Sequence, residues 1–295
     1  MEFRLIEGPG ADMPATTAAV ESPLPGAAEL LRRHLLPFVL SLVGLTSLLL
    51  LNQITKQIHP LQSHGTPGAE AVEIFWLSIP FMLAMTVPMA VLIAVMWVFV
   101  GLPAGREITS KIVPWFVCVL VAAAVVGALL FVWSGEVLPR SNHRLRQLLV
   151  KVEGHGGPVE DTFRSEREMT VGELSAGIQA LQHADSIGER RAATYQVQLQ
   201  KIYAIAGSCF VYAWFAAPVG LLFRRSGWGA VAGMSIAIFA VSYVGMILGE
   251  DMGDRMLVSP FTAMWTVNLA LLICGAAALS WILLEARRTP NPHRE

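Results

Sequence analysis

Two carboxylates at the border of an apolar segment are the first candidates for a functional site in this chain. Residues 249–253 read Gly-Glu-Asp-Met-Gly and follow one long apolar run, and Trp265 and Asn268 open the next run. A carboxylate costs far less free energy at the membrane interface than at the bilayer centre. The spacing therefore predicts a short acidic turn that leads into a membrane helix. The alternative is an ordinary charged loop between two membrane helices.

The other polar residues form no recognisable catalytic or metal-binding pattern. The seven histidines are scattered, and there is no His-Glu-x-x-His motif, so no zinc site is predicted. Residues 105–111 lack the second glycine and the Gly-Lys order of a phosphate-binding loop, and no serine lies in a Gly-x-Ser-x-Gly elbow. The three cysteines all lie in apolar runs, which favours a packing role. We therefore predict a protein that is not an enzyme and that has no cofactor and no metal.

The apolar residues are concentrated in segments that are long enough to cross a membrane. Hydrophobic residues make up 54% of the chain and charged residues only 15%. A membrane-spanning helix needs about 20 apolar residues. Six runs reach this length with no charge inside them, namely Leu35–Ile54, Ile74–Val100, Val113–Trp133, Ile202–Phe223, Trp228–Leu248 and Phe261–Leu284. The predicted fold class is an all-α integral membrane protein with six transmembrane helices.

Basic residues predict the orientation of these helices. The positive-inside rule places lysine and arginine in short cytoplasmic loops. The two loops at 101–112 and 224–227 hold four basic residues, and arginine pairs flank both ends of the helical region. Both termini are therefore predicted to be cytoplasmic. The long connection 138–201 also carries basic residues, but loops of this length follow the rule poorly. Short basic pairs at helix ends favour lipid headgroups as neighbours and do not indicate nucleic acid.

The transmembrane runs contain small residues but no charges. Proton and ion pathways usually place a charged side chain inside a span, so an ion-coupled transporter is disfavoured. Glycine pairs at 229 and 233 and at 245 and 249 allow another helix to approach closely. That helix could belong to the same chain or to a second subunit, and the sequence leaves both alternatives open.

Short motifs along the chain resemble the LptF/LptG permeases, which are the membrane subunits of the lipopolysaccharide exporter. The pattern of the last two helices is carried by Gly249, Glu250, Gly253, Trp265 and Asn268. Further similar segments occur in the family's order, at 50–53, at 86–90 around Pro88, at 137–146, at 169–174 and at 218–221. The resemblance covers about residues 31–284, so it implies the same helical bundle.

Two departures from this family bear on function. Its members carry a β-jellyroll domain between helices three and four, and a jellyroll needs about eight strands. Residues 147–168 are too few for such a domain and show no alternating strand pattern, so we expect the domain to be absent. The second departure is a shortened coupling helix. Residues 106–111 keep the Glu-Ile-Thr core of the family's coupling helix at 107–109, but the turn that usually follows is missing. The resemblance implies that Arg106, Glu107 and Thr109 are the candidates for contact with an ATPase.

The segment in place of the jellyroll is predicted to be helical. Thr170 and Glu173 have the spacing of a capping box, and an apolar stripe runs from Val171 to Leu181 at helical spacing. The stripe favours a helix that covers the bundle, and the alternative is a helix that lies on the membrane or on a partner. The predicted organisation is a disordered tail at 1–29, helices 1–3 at 30–137, a periplasmic helical segment at 138–200, helices 4–6 at 201–285 and a tail at 286–295.

The resemblance implies a permease subunit in the bacterial inner membrane. Such a subunit would be half of a lipid exporter that pairs with a second copy or a paralogue and is driven by a separate ABC ATPase. Its cargo would be lipopolysaccharide or a similar lipid, which passes lateral gates formed by helices one and five, and Asn52 and Lys56 are the candidate lipid site. The alternative function is a structural subunit that keeps the permease fold without transport.

Overall fold

The computed structural model describes residues 26–63, 68–102, 107–152, 165–181, 185–224 and 227–288. Within these ranges the chain forms α-helices and short helical turns, and no strand occurs among them. Six helices are long and apolar enough to cross a membrane. The predicted all-α fold with six spans is confirmed. The helices are α1 Ala27–Ser63, α2 Gly68–Val100, α3 Glu107–Val132, α4 Leu138–Val152, α5 Val171–Ala180, α6 Ser186–Leu222, α7 Gly227–Asp254 and α8 Pro260–Arg288.

The core of the bundle lies along α2 and α6, and the other spans surround these two helices. Leu92 and Phe99 of α2 are fully buried against a small-residue face of α6. A Cβ on Gly220 of α6 would lie only 2.9 Å from the Phe99 Cβ, so glycine permits the close approach. Small residues at helix contacts are typical of membrane proteins, where association depends on close packing. The surrounding helices α1, α3, α7 and α8 expose apolar side chains on their outer faces.

The third span continues into α4 through one wide helical turn. Trp133–Val137 adopt a π-helix, and the Leu138 N–H donates to the Trp133 carbonyl. The Trp133 indole N–H donates to the Pro80 carbonyl of α2 at 3.2 Å and fixes this turn to the core. We call the end of the bundle that carries α4 and α5 the outer end, because the basic residues predict that it faces away from the cytoplasm.

The acidic stretch at 249–253 is not a turn, and this prediction was wrong. These residues belong to α7, which continues to Asp254, and the chain reverses only at residues 255–259. Met256 has a positive φ of 59°, and its N–H donates to the Gly253 carbonyl at 2.9 Å. The two glycines of this stretch allow α8 and α6 to lie close to α7.

The predicted capping box at the start of α5 is confirmed. Thr170 Oγ1 accepts the Glu173 N–H at 3.3 Å, and Glu173 Oε2 accepts the Thr170 N–H at 2.8 Å. Leu174 is fully buried, and Gly177 lies against the ring of Tyr195 on α6. The apolar stripe of α5 therefore packs on the bundle.

Candidate functional site at the outer end of the bundle

An ion-pair cluster at the outer end is centred on Glu250 of α7. Lys201 Nζ of α6 donates to Glu250 Oε2 at 2.7 Å, and Arg167 donates to Glu250 Oε1 at 2.9 Å. Arg167 belongs to a 3-10 turn at Glu166–Glu168. The side chains of Lys201 and Glu250 are only 12% and 20% exposed. An unpaired charge in such surroundings is strongly destabilising, so these contacts hold the turn, α6 and α7 together.

The same 3-10 turn is bound to α4 by a second cluster around Glu168, whose side chain is 6% exposed. His143 Nδ1 donates to Glu168 Oε2 at 2.9 Å, and Arg146 donates to Glu168 Oε1 at 3.1 Å. Asn142 also donates to the Arg167 carbonyl at 3.1 Å. Consecutive side chains of the turn therefore contact two different helices. The Arg167 side chain contacts α7, and the Glu168 side chain contacts α4.

Two glycines of the acidic motif bring α7 close to its neighbours. A Cβ on Gly249 would collide with the Ala263 carbonyl oxygen of α8. A Cβ on Gly253 would lie 2.7 Å from Val197 Cγ2 of α6 and 3.3 Å from Ala263 Cβ. Because any larger side chain would push these helices apart, the two glycines set the spacing of α6, α7 and α8.

Trp265 and Asn268 bind α8 to α6 within the membrane region. The Trp265 indole N–H donates to Gln200 Oε1 at 3.1 Å, and its ring lies over Gly207. The buried Asn268 amide donates to the Ala204 carbonyl at 3.0 Å. Buried polar groups need such partners, since each unmade hydrogen bond leaves a desolvation cost. The predicted motif residues thus form one junction, at which α6, α7 and α8 meet. Their hydrogen bonds, ion pairs and close contacts hold these three helices in position.

Pro88 lies apart from this junction but lines a cavity that adjoins it. One cavity of about 60 Å³ is lined by Pro88 of α2 together with Ser208 and Tyr212 of α6. A second cavity of about 60 Å³ shares Ser208 and Tyr212 and is also lined by Lys201 and Asn268. Both are large enough to hold water, which needs roughly 10–15 Å³. Polar side chains that line the two cavities therefore extend from Lys201 in the ion-pair cluster towards Pro88 of α2.

A wider cleft of about 630 Å³ opens beside the 3-10 turn. It is lined by basic groups from α4 and α6, acidic groups from the turn, and Tyr195. The lining charges are mixed, because Arg146, Arg190 and Arg191 face Glu166 and Glu168. Such a cleft can offer hydrogen-bond donors to an anionic group and acceptors to a cationic one.

Within the described part of the chain, no contact joins the remaining predicted site residues to this junction. Asn52 and Lys56 fall within the α1 helix, but their side chains lie outside the described part. Glu107 and Thr109 begin α3, again without described side chains, and Arg106 lies outside the described residues. Their roles in lipid binding and ATPase coupling remain predictions.

The partners of Glu250 were not predicted from the sequence. Lys201 directly precedes the fourth apolar run, and Glu250 comes just after the fifth, so the two charges lie at the same end of neighbouring spans. That placement could have indicated the pair. Arg167 carries no comparable signal, because it lies 83 residues from Glu250 and outside any apolar run.

The fold and the junction define a multi-pass membrane protein built on a permease-type bundle. A family model described as "Lipopolysaccharide export system permease LptF/LptG" matches residues 30–159 and 157–284. The chain belongs to this family. The two matched parts meet at residues 157–159, where the sequence predicts the loss of the β-domain. No curated protein matches the sequence.

Proposed function

We propose that this chain is one half of a lipid exporter in the bacterial inner membrane. It would pair with a second permease subunit and be driven by a separate ABC ATPase, with lipopolysaccharide or a related lipid as cargo. The observation that carries this proposal is that both halves of the chain match the permease family, while its motif residues Gly249, Glu250 and Asn268 each contact a neighbouring helix of the bundle.

Exposed glycines on α7 support pairing with a second subunit. Gly245 and Gly249 pack against α8 of the same chain, which accounts for one of the two glycine pairs. Gly229 and Gly233 have open space where a Cβ would be, and neighbouring Ile236 is 68% exposed. A helix from a partner could approach this half of α7 closely. The pairing surface is therefore proposed on α7 around residues 229–236.

The ATPase would dock at residues 106–109, at the start of α3. Glu107→Arg reverses a charge in the Glu-Ile-Thr core, so it is expected to release the ATPase when the complex is purified from native membranes. Glu285→Arg is the matched control, since it makes the same change at the exposed end of α8 on the same predicted side. Loss of the ATPase from both variants, or from neither, contradicts docking at Glu107.

The headgroup of the cargo would be bound beside Asn52 and Lys56. A lysine can extend its ammonium to the headgroup level while its stem stays in apolar surroundings. Lys56→Glu should lower the amount of anionic lipid retained by the purified protein. Arg255→Glu at the same predicted side is the control, because Arg255 pairs with Asp251 at 2.8 Å. Unchanged retention in a folded Lys56→Glu protein would leave Lys56 as an interfacial anchor.

The second candidate is a structural subunit that packs against another membrane complex. It is favoured by the short connection between α4 and the 3-10 turn, because residues 153–164 are too few for the jellyroll that the family carries between helices three and four. Identification of the proteins that co-purify from native membranes separates the two functions. An ATPase and a second permease support the exporter, and a different membrane complex without an ATPase supports the structural subunit.

A further inference from the structure

The wide cleft beside the 3-10 turn presents charges of both signs. Its volume of about 630 Å³ lies within the range of roughly 300–1,000 Å³ that is usual for small-molecule sites. The basic groups are Arg146 of α4 and Arg190 and Arg191 of α6. The acidic groups are Glu166 and Glu168 of the turn, and the remaining lining residues carry hydroxyl groups. Guanidinium, carboxylate and hydroxyl groups therefore line one cleft.

Two of these charges have no ion partner in the described part of the chain. Glu168 is not one of them, because both of its oxygens accept hydrogen bonds. No hydrogen bond or ion pair joins the side chains of Glu166 and Arg190 to each other or to any other described residue. Glu166 belongs to the turn that Arg167 and Glu168 hold to α7 and α4, so its position is fixed. An acid and a base thus line the same cleft without pairing.

This arrangement matches a ligand that carries both signs of charge. Guanidinium groups bind phosphate through several N–H donors in a fixed planar arrangement. Arg190 is exposed, and Arg146 uses one of its five N–H groups on Glu168, so both can donate to one phosphate. The Glu166 carboxylate can accept hydrogen bonds from an ammonium group. A phosphate–ammonium zwitterion therefore fits the cleft better than a plain anion, which the acidic residues of the turn would repel.

The cleft lies near the height of lipid headgroups. Tyr195 lines it and precedes Lys201 by six residues, which is about 9 Å along α6. Lys201 directly precedes the fourth apolar run and marks the edge of the hydrocarbon core. The headgroup layer extends about 5–8 Å beyond that core on each side. The membrane-side edge of the cleft is therefore within reach of a headgroup, as well as of soluble compounds.

We propose that this cleft binds a phosphoethanolamine group, with its phosphate on Arg146 and Arg190 and its ammonium on Glu166. The group is either the headgroup of phosphatidylethanolamine or soluble phosphoethanolamine. The inference does not rest on the proposed function, because an exporter and a structural subunit would carry the same cleft. It also involves neither Asn52 nor Lys56.

The test compares two soluble ligands by isothermal titration calorimetry of the full chain in detergent. Phosphoethanolamine carries the phosphate and the ammonium, and ethyl phosphate has nearly the same size but no ammonium. Phosphoethanolamine should bind about tenfold more tightly, because its ammonium makes a charge-assisted hydrogen bond to Glu166. Equal affinity for the two ligands overturns the proposal, and so does the absence of binding by either.

Lipid retention identifies the source of the group. If the source is a lipid, the purified chain should retain phosphatidylethanolamine in preference to phosphatidylglycerol, and Glu166→Gln should lose that preference. If the source is a soluble compound, the preference for phosphoethanolamine should appear in calorimetry while the two lipids are retained equally.

Two variants separate the two ends of the ligand. Glu166→Gln removes the negative charge and should abolish the preference for phosphoethanolamine without weakening ethyl phosphate. Arg190→Gln should weaken both ligands by about three- to tenfold. Glu189→Gln and Arg140→Gln are the matched controls, because both residues are exposed and neither lines the cleft. The proposal is overturned if the preference persists in Glu166→Gln, or if Arg190→Gln binds both ligands as tightly as the unaltered chain.

Discussion

Gly249→Ala tests the closest helix contact at the junction. A Cβ at this position would collide with the Ala263 carbonyl oxygen and lie 3.2 Å from Met264 Cε. The methionine end can move, but the carbonyl belongs to the backbone of α8 and cannot move without displacing that helix. Alanine should therefore separate α7 from α8 and weaken the contacts that Trp265 and Asn268 make with α6.

The expected magnitude follows from two opposing effects. Alanine is favoured over glycine in a helix interior by about 0.5–1 kcal/mol. Overpacking of a well-packed contact costs about 1–3 kcal/mol. The collision should prevail at Gly249, with a net destabilisation of about 1–2 kcal/mol. Gly44 of α1 is the matched control, because its Cβ would meet open space and only the gain in helix propensity should remain.

Thermal unfolding of the purified variants provides the assay. A loss of 1 kcal/mol lowers the melting temperature by roughly 2–4 °C in domains of 150–250 residues. Gly249→Ala should therefore melt several degrees below the unaltered chain, and Gly44→Ala should melt at the same temperature or slightly higher. If Gly249→Ala is stabilised as much as Gly44→Ala, the close approach of α7 and α8 is refuted.

Two further predictions concern the polar contacts of the outer end. Glu250→Ala leaves Lys201 partly buried without its main partner and should cost about 2 kcal/mol in chemical unfolding, less than for a fully buried pair. The adjacent carboxylate is exposed, so Asp251→Ala should change stability by less than about 0.5 kcal/mol, and equal effects would contradict the role of burial. Thr170→Ala removes the cap of α5 and should cost about 1 kcal/mol, seen as faster hydrogen exchange across α5. Ser175→Ala within the same helix should leave that exchange nearly unchanged, and matching acceleration in both would rule out capping as the cause.

Hydropathy was sufficient to predict the six spans, because the length of an apolar run reflects the thickness of the bilayer. The capping box was predictable for a similar reason, since Thr170 and Glu173 are three residues apart and act on their own backbone. The acidic stretch was misinterpreted because carboxylates are tolerated at the membrane interface both in a turn and in the last turn of a helix. The packing of Gly249 against Ala263 depends on the neighbouring helix, which the residues around 249–253 do not specify.

The candidate site was harder to predict because its members are distant in sequence. Glu250 was identified, but Lys201 is 49 residues from it and Arg167 is 83 residues from it. Pairing of this kind depends on how the helices are arranged in space, which hydropathy does not specify.

The 3-10 turn links the packing of the outer end to the proposed function. Arg167 binds α7 and Glu168 binds α4. The turn therefore connects α4, which precedes it in the sequence, to α7, which follows it. A structural subunit would keep both contacts at all times, because they hold the 3-10 turn to α4 and α7. An exporter that moves α7 as a gate would have to break the Arg167–Glu250 contact in each cycle, while Lys201 could keep the Glu250 carboxylate paired. The two ion partners of Glu250 would then differ in function: Lys201 would stabilise the fold, and Arg167 would respond to opening of the gate.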